Sequence, residues 1–252
     1  MPTLRLTKHH GSGNDFLVLL DPDGVHPIDA GLARALCDRH TGVGADGLIR
    51  ASAGTAGTQL TFELRNADGS AAEMSGNGMR CLAQAAVDAG LVDGRDFVVA
   101  TAAGQRAVSV HREEAPGLRT VSVDMGAARV SGSPGRATVD VGNPHLVLQV
   151  GDAAALAAPT ETPDPAVNVE LVLPGPEPDA LTMRVFERGV GETLACGTGA
   201  IAAAAAAHQW GLVGTHVVVH QRGGDGIVDL CAHTTVLTGP TQRVARVEVD
   251  RP

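Results

Sequence analysis

Apolar residues in this chain fall mostly into short runs, many with the two-residue alternation of strands, and Gly, Pro, Asp and Asn cut them apart. Residues 3–8 alternate weakly and predict an edge strand. His9-His10-Gly11-Ser12-Gly13-Asn14-Asp15 predicts a tight polar loop before a buried strand at 16–20, which Asp21-Pro22-Asp23-Gly24 ends. Asp29 can cap a helix over 30–39, with Leu32, Leu36 and Cys37 on one face. A glycine-rich turn over 41–47 leads to a short strand at 48–51, and a helix over 77–89 ends at Gly90. Strands at 97–101, 105–111 and 121–125 follow, and the small Gly/Ser/Pro-rich residues 126–137 predict little structure. Beyond them lie strands at 137–141, 146–150 and 168–173, with one helical turn and a loop in 152–166. The helix predicted over 199–209 is nearly all alanine, and so small a face predicts close packing inside a surrounding sheet. Strands at 215–220, 226–231 and 234–237 come next, and 243–249 predicts a strand that crosses back to the first half.

The chain repeats itself. Leu60-Thr-Phe-Glu-Leu-Arg-Asn66 leads to Ser75-Gly76-Asn77-Gly78, and Leu181-Thr-Met-Arg-Val-Phe-Glu187 leads to Cys196-Gly197-Thr198-Gly199. The two blocks stand 121 residues apart at both ends, from 60 to 181 and from 75 to 196. Gly13-Asn14-Asp-Phe-Leu-Val and Gly142-Asn143-Pro-His-Leu-Val form a second pair in the same order. A period near half the chain is too long for a solenoid. It predicts an α+β protein of two pseudo-symmetric β-rich, barrel-like domains, each wrapped on a central helix. The halves are expected at 1–125 and 126–240, with about 241–252 returning to the first. The active site is expected in the cleft between them, where ligand sites are common.

Composition narrows the chemistry. The net charge of −9 argues against a nucleic-acid partner. No apolar run has the length of a membrane span and no basic-then-apolar leader opens the sequence, so a cytoplasmic protein off the membrane is expected. Cys37, Cys81, Cys196 and Cys231 make no CxxC pair, which speaks against zinc, and Cys37 and Cys81 lie among apolar neighbours. Lys8 is the only lysine among 19 basic residues, and its place near the N-terminus suits no Schiff base, so amino-acid chemistry here would run without pyridoxal phosphate.

The two glycine-rich turns carry the candidate catalysis. Cys196 precedes Gly-Thr-Gly at a helix start, where free N–H groups and the dipole favour a thiolate. Its pKa is therefore expected below the free value of about 8.5. The same terminus welcomes a carboxylate ligand. Glu187-Arg188, nine residues earlier, is expected to be a buried charge pair suited to an amino acid's ammonium and carboxylate. Ser75 occupies the twin position. One acid/base residue on each side of a Cα is a racemase arrangement working by general acid–base catalysis.

These residues resemble the diaminopimelate epimerase family. The resemblance rests on His10-Gly-Ser-Gly-Asn14-Asp-Phe, Arg65-Asn66-Ala-Asp-Gly-Ser, Gly76-Asn77-Gly78-Met-Arg80-Cys81, Gly142-Asn143-Pro144-His145, Asn168, Glu187-Arg188-Gly-Val-Gly-Glu192 and Cys196-Gly-Thr-Gly199, in the family's order across both halves. It implies interconversion of LL- and meso-2,6-diaminopimelate for lysine and peptidoglycan precursors, with no cofactor and no metal. A homodimer is reasonable for such a family. It implies that Cys196 and Ser75 hold the catalytic positions. Asn14, Asn66, Asn143, Asn168 and Arg188 would line the substrate pocket. Glu187 would meet the reacting ammonium, and backbone around Gly76-Asn77 and Gly197-Thr198 would hold the reacting carboxylate. His145 and Glu187 would bias the bases.

Ser75 departs from the family, which has cysteine at both positions. A neutral hydroxyl is a far weaker acid than a thiol. Helix-terminal help of about 0.3–2 kcal/mol does not close that gap. Ser75 could still donate a proton or order a water. Three readings of it stay open: an engineered substitution, a natural variant using another route, or a one-base relative that works through Cys196. The alternatives in function are an epimerase or dehydratase acting on another amino acid, and a form that binds ligand without catalysis.

Overall fold

The computed structural model describes residues 3–158 and 166–250. The chain divides into two compact units, one running to Val123 and resuming at Pro240, the other spanning Asp124–Gly239. In order, the elements are β1 (Thr3–Gly11), β2 (Asn14–Leu20), α1 (Ala30–Cys37), β3 (Gly47–Ala53), β4 (Leu60–Asn66), β5 (Ala71–Ala72), α2 (Gly76–Asp88), β6 (Asp96–Thr101), β7 (Gly104–Ala115) and β8 (Leu118–Gly126). Then follow β9 (Arg129–Ser133), β10 (Arg136–Asp140), β11 (Pro144–Gln149), α3 (Ala153–Ala157), β12 (Asn168–Pro174), β13 (Ala180–Glu187), β14 (Gly191–Thr193), α4 (Gly197–Gln209), β15 (His216–Gln221), β16 (Gly224–Leu230) and β17 (Thr235–Asp250).

In the first unit the strands close on themselves. β17 pairs antiparallel with β1 (Leu4 opposite Val249), β1 with β2, β2 parallel with β3 (Leu17 opposite Leu48), and β3 antiparallel with β4. β4 runs parallel to β6 (Leu60 opposite Val99), and β6, β7 and β8 form an antiparallel meander. β8 returns to β17, where the Arg243 N–H donates to the Gly117 carbonyl at 2.8 Å. These pairings close the longer strands into a ring, which covers most of their edges. α2 packs against β1, β2, β3, β4 and β7, and its residues Gly76–Ala86 are all buried. α1 packs on β3 and β4, and Leu32, Leu36 and Cys37 join Leu4, Leu6, Leu17 and Leu19 in one cluster. The edge strand expected at 3–8 pairs on one side, with β17, over Thr3–Leu6, but from Thr7 it is paired on both sides and runs on to Gly11, so His9 and His10 belong to the sheet and not to a loop.

The second unit runs β9, β10, β11, β12, β13, β15, β16, β17, with β11–β12 and β13–β15 parallel and the other pairs antiparallel. α4 packs against β9 to β13, β15 and β16. Residues Gly197–Ala207 of this helix are buried, so its alanines let strands approach from every side. α3 packs on β12, with Leu146, Leu156, Val169, Leu171 and Phe186 in a second cluster. Residues 126–137 are more ordered than expected, forming β9 and the start of β10. Their small side chains serve that pairing: at Gly132 a Cβ would lie 2.5 Å from the Arg136 carbonyl oxygen. The loop expected after α3 lies largely outside the described residues.

The repeat is visible as β4-β5-α2-β6 and β13-β14-α4-β15. Each has a 13-residue helix inserted between two strands that then pair parallel.

One buried histidine on β1 makes stability pH-dependent. His9 is 0 % exposed, its Nδ1 lies 3.2 Å from Gln84 Oε1, and its Nε2 has no hydrogen-bond partner among the described residues. Burial lowers its pKa from 6.5 to about 4. The folded pKa lies below the unfolded one. This contribution is therefore fully present above pH 6.5 and is lost as pH falls toward 4, by roughly 3 kcal/mol in total. Urea unfolding of the wild type should lose stability over that window, and His9→Gln should flatten the slope. Parallel slopes in the two proteins would contradict this assignment.

Candidate active site in two glycine-rich turns

The first turn caps α2. Ser75 has an extended backbone (φ −145°, ψ 121°), and its Oγ accepts the Gly78 N–H at 3.0 Å, which satisfies one of the helix's free donors. A Cβ at Gly78 would meet Ile49 Cδ1 at 3.1 Å and Ser75 Cβ at 3.2 Å, so the turn closes tightly only with glycine. Asn77, just inside the helix, is buried. Its Nδ2 donates to Asn14 Oδ1 at 3.2 Å and its Oδ1 accepts from Arg80 Nη2 at 2.8 Å. Arg80 is buried as well, and burial lowers its pKa to about 10, which leaves it cationic at neutral pH.

Behind Asn14 stands a charged network. Asn14 Nδ2 donates to Asp46 Oδ2 at 2.7 Å. Arg39 binds Asp15 and Asp46, each at 2.7 Å, and Lys8 binds Asp15 at 2.9 Å and the Gly44 carbonyl at 2.6 Å. Burial alone would raise the pKa of Asp15, but Arg39 and Lys8 more than offset it and hold the carboxyl below its usual range. Asn66 ends β4, exposed, with its Nδ2 donating to Ser70 Oγ at 3.0 Å. The next N–H, of Ala67, donates to the Asp46 carbonyl. The turns bearing Asn14, Asn66 and Asn77 thus all anchor around Asp46.

The second turn repeats the first. Cys196 caps α4 with the same extended backbone (φ −130°, ψ 120°), and its Sγ accepts the Gly199 N–H at 3.4 Å. Thr198 Oγ1 also lies 3.4 Å from Sγ, and Gln221 Oε1 accepts the Cys196 N–H at 2.9 Å. The thiol's acidity differs from expectation. Cys196 is only 7 % exposed, and burial, with Glu187 and Glu170 adding negative charge, pushes its pKa above the ordinary thiol range. The contacts from Thr198 and the Gly199 N–H act in the expected direction but are outweighed. At neutral pH this residue holds its proton.

Around it, His145 Nε2 lies 3.1 Å from Asn143 Oδ1 and its Nδ1 lies 2.6 Å from Glu170 Oε1. Asn168 is opposite His145 in the parallel β11–β12 register, and its Oδ1 accepts the Arg188 N–H at 2.9 Å. Glu187 accepts from Thr193 Oγ1 at 2.6 Å. Glu187 and Arg188 do not form the expected buried pair. Glu187 is half-buried, while Arg188, just past the end of β13, is exposed.

Several residues escape the sequence motifs. Glu170 and Gln221 touch the Cys196 turn, and Lys8, Arg39 and Asp46, with Asp15 of the first motif, support Asn14. Glu170 carried a signal, being a carboxylate inside Val169–Leu173, on the same strand face as Asn168. Gln221 carried none, since it is brought in by the β15–β16 hairpin.

The chain is similar to known proteins along most of its length. The family model "Diaminopimelate epimerase" matches residues 6–131 and 137–244. The diaminopimelate epimerase of Mycolicibacterium paratuberculosis is 41% identical over 98% of this chain and 97% of its own length. That of Mycobacterium tuberculosis H37Rv is 43% identical over 95% and 94%. Among solved structures, a protein described as a predicted epimerase from Pseudomonas aeruginosa superposes with a TM-score of 0.80 at 18% identity, over 98% of this chain and 99% of that one. A hydroxyproline epimerase from Agrobacterium vitis gives 0.72 at 15%, over 98% and 92%. Those likenesses identify the fold, a two-domain arrangement of β-rich, barrel-like halves, and the family model with the close relatives settles the rest: this chain belongs to the diaminopimelate epimerase family.

Proposed function

We propose that the chain interconverts LL- and meso-2,6-diaminopimelate by removing a Cα proton and returning one to the opposite face, with no cofactor. The observation that carries this reading is the twice-built cap. Two 13-residue helices each begin behind a residue with an exchangeable proton, held by the N–H three residues on. In this reading Cys196 serves one face of the Cα and Ser75 the other. Backbone at Gly76-Asn77 and Gly197-Thr198 takes the reacting carboxylate, a role that suits helix N-termini, and the buried cation of Arg80 favours an anion at the first of them. Glu187 takes the reacting ammonium, and with His145 it biases the acid/base groups. An ammonium beside Cys196 would offset the two carboxylates that now raise its pKa. Asn14, Asn66, Asn143, Asn168 and Arg188 line the remainder and hold the distal amino acid end.

Ser75 makes the two faces unequal. Its hydroxyl is the weaker group, so Cys196 is the working acid/base and the Ser75 face limits turnover. Lys8, the one lysine, is committed to Asp15 and the Gly44 carbonyl, which supports a route with no Schiff base. A homodimer in the cytoplasm completes the proposal. Among the described residues no helix is long and apolar enough to cross a membrane.

The test is to incubate the chain with LL-diaminopimelate and follow the meso isomer by chiral chromatography, with L-proline and trans-4-hydroxy-L-proline in parallel. Slow conversion of diaminopimelate alone is expected. Turnover of a proline substrate with none of diaminopimelate would reject the assignment.

A further inference from the structure

Glu170 lies in the middle of β12, between Val169 and Leu171, and is 0 % exposed. Its Oε1 is 2.6 Å from His145 Nδ1, and its Oε2 has no hydrogen-bond partner among the described residues. The other ring nitrogen of His145 lies 3.1 Å from Asn143 Oδ1. A carboxylate and an amide oxygen both only accept hydrogen bonds, so this arrangement needs a proton on each ring nitrogen. A neutral ring beside an ionised Glu170 would leave a fully buried carboxylate with one unbonded oxygen and no counter-charge, which is costly, whereas a ring protonated on both nitrogens supplies that charge and donates to both acceptors. The carboxylate is also held from the helix side. A Cβ on Gly199 would lie 2.6 Å from Glu170 Oε1, so Glu170 rests against the first turn of α4, the turn that Cys196 caps.

We propose that Glu170 is a positioning residue for the epimerisation: it holds His145 as an imidazolium in one ring orientation beside the Cys196 turn. His145 Nε2–H then occupies Asn143 Oδ1, which leaves the Nδ2 end of that amide to face a ligand. Glu170 thereby sets which end of Asn143 is the donor, and donors suit a substrate carboxylate. Of the other titratable groups on the packed elements, Cys196 at the start of α4 feels the charge of Glu170, and it also feels that of Glu187 at the end of β13. Arg184 on β13 is engaged by Glu192, and Arg136 and Asp140 on β10 are exposed. The proposal rests on the epimerase reading of this site.

The experiment combines kinetics with NMR of 15N-histidine-labelled full-length chain, with the His145 signals assigned through His145→Gln. In the wild type both His145 ring nitrogens should be protonated at neutral pH, with a downfield Nδ1–H. Glu170→Gln should lose that proton signal and lower kcat by about 10–100-fold, as when a functional histidine loses its carboxylate partner, with KM changed less. Glu170→Asp should recover part of both. A wild-type ring with one bare nitrogen, or a Glu170→Gln protein with wild-type kcat, would overturn the proposal. If Glu170→Gln fails to fold, the wild-type ring protonation decides alone. A wild type that shows the doubly protonated ring but turns over no diaminopimelate would reject the epimerase reading and keep the Glu170–His145 pair.

Discussion

Cys196→Ala should lower kcat for diaminopimelate interconversion by about 10²–10⁴-fold, the usual contribution of a positioned general acid or base. The fold should survive the change. The thiol's structural bond is a 3.4 Å contact from the Gly199 N–H, and losing a helix cap costs about 0.5–2 kcal/mol. The side chain is small, and alanine already fills α4 from Ala200 to Ala207 apart from Ile201. A deep loss in kcat with a near-normal urea midpoint would place Cys196 in the chemistry. A small loss in kcat would mean that the proton moves through another group. Burial, with the charge of Glu187 next in size, keeps the free thiol protonated at neutral pH, so the wild-type residue is poised to give a proton before it takes one.

Ser75→Cys should act in the other direction, raising kcat by about 10²-fold or more. The local geometry accepts a thiol. Ser75 and Cys196 share extended backbone angles, and each side chain receives the N–H three residues ahead, at 3.0 Å for oxygen and 3.4 Å for sulfur. Ser75 is half-buried, so the added size of sulfur meets solvent as well as protein. Steady-state rates in both directions are the measurement. An unchanged or lower rate in Ser75→Cys would show that Ser75 does not limit turnover.

Much of this architecture was legible because the chain states it twice. The constant spacing of the two blocks marked both helices and both caps, and those helices start within two residues of expectation. Alanine in α4 announced a helix enclosed by strands, since only a small side chain lets a sheet approach on all sides. Pairing partners were less legible. The weak alternation of residues 3–8 reads as an edge, which holds for Thr3–Leu6, yet from Thr7 on the strand lies between β2 and β17, the latter more than 230 positions away. The thiol's acidity was misread for a related reason. Helix-terminal donors are local and visible in sequence, while the burial that outweighs them comes from the strands packed around α4, assembled at long range; Glu187, nine residues earlier, adds to it. Gln221 and the partners that Lys8, Arg39 and Asp46 make around Asp15 are likewise products of tertiary contact, with no motif of their own.

The central claim is that Cys196 moves the Cα proton while Ser75 limits the opposite face. Proton NMR of LL- and meso-diaminopimelate incubated with the chain in D2O tests it most directly. The account predicts that one isomer exchanges its Cα proton for deuterium faster than it epimerises, and that Cys196→Ala abolishes this exchange. Exchange that persists unchanged in Cys196→Ala would contradict it.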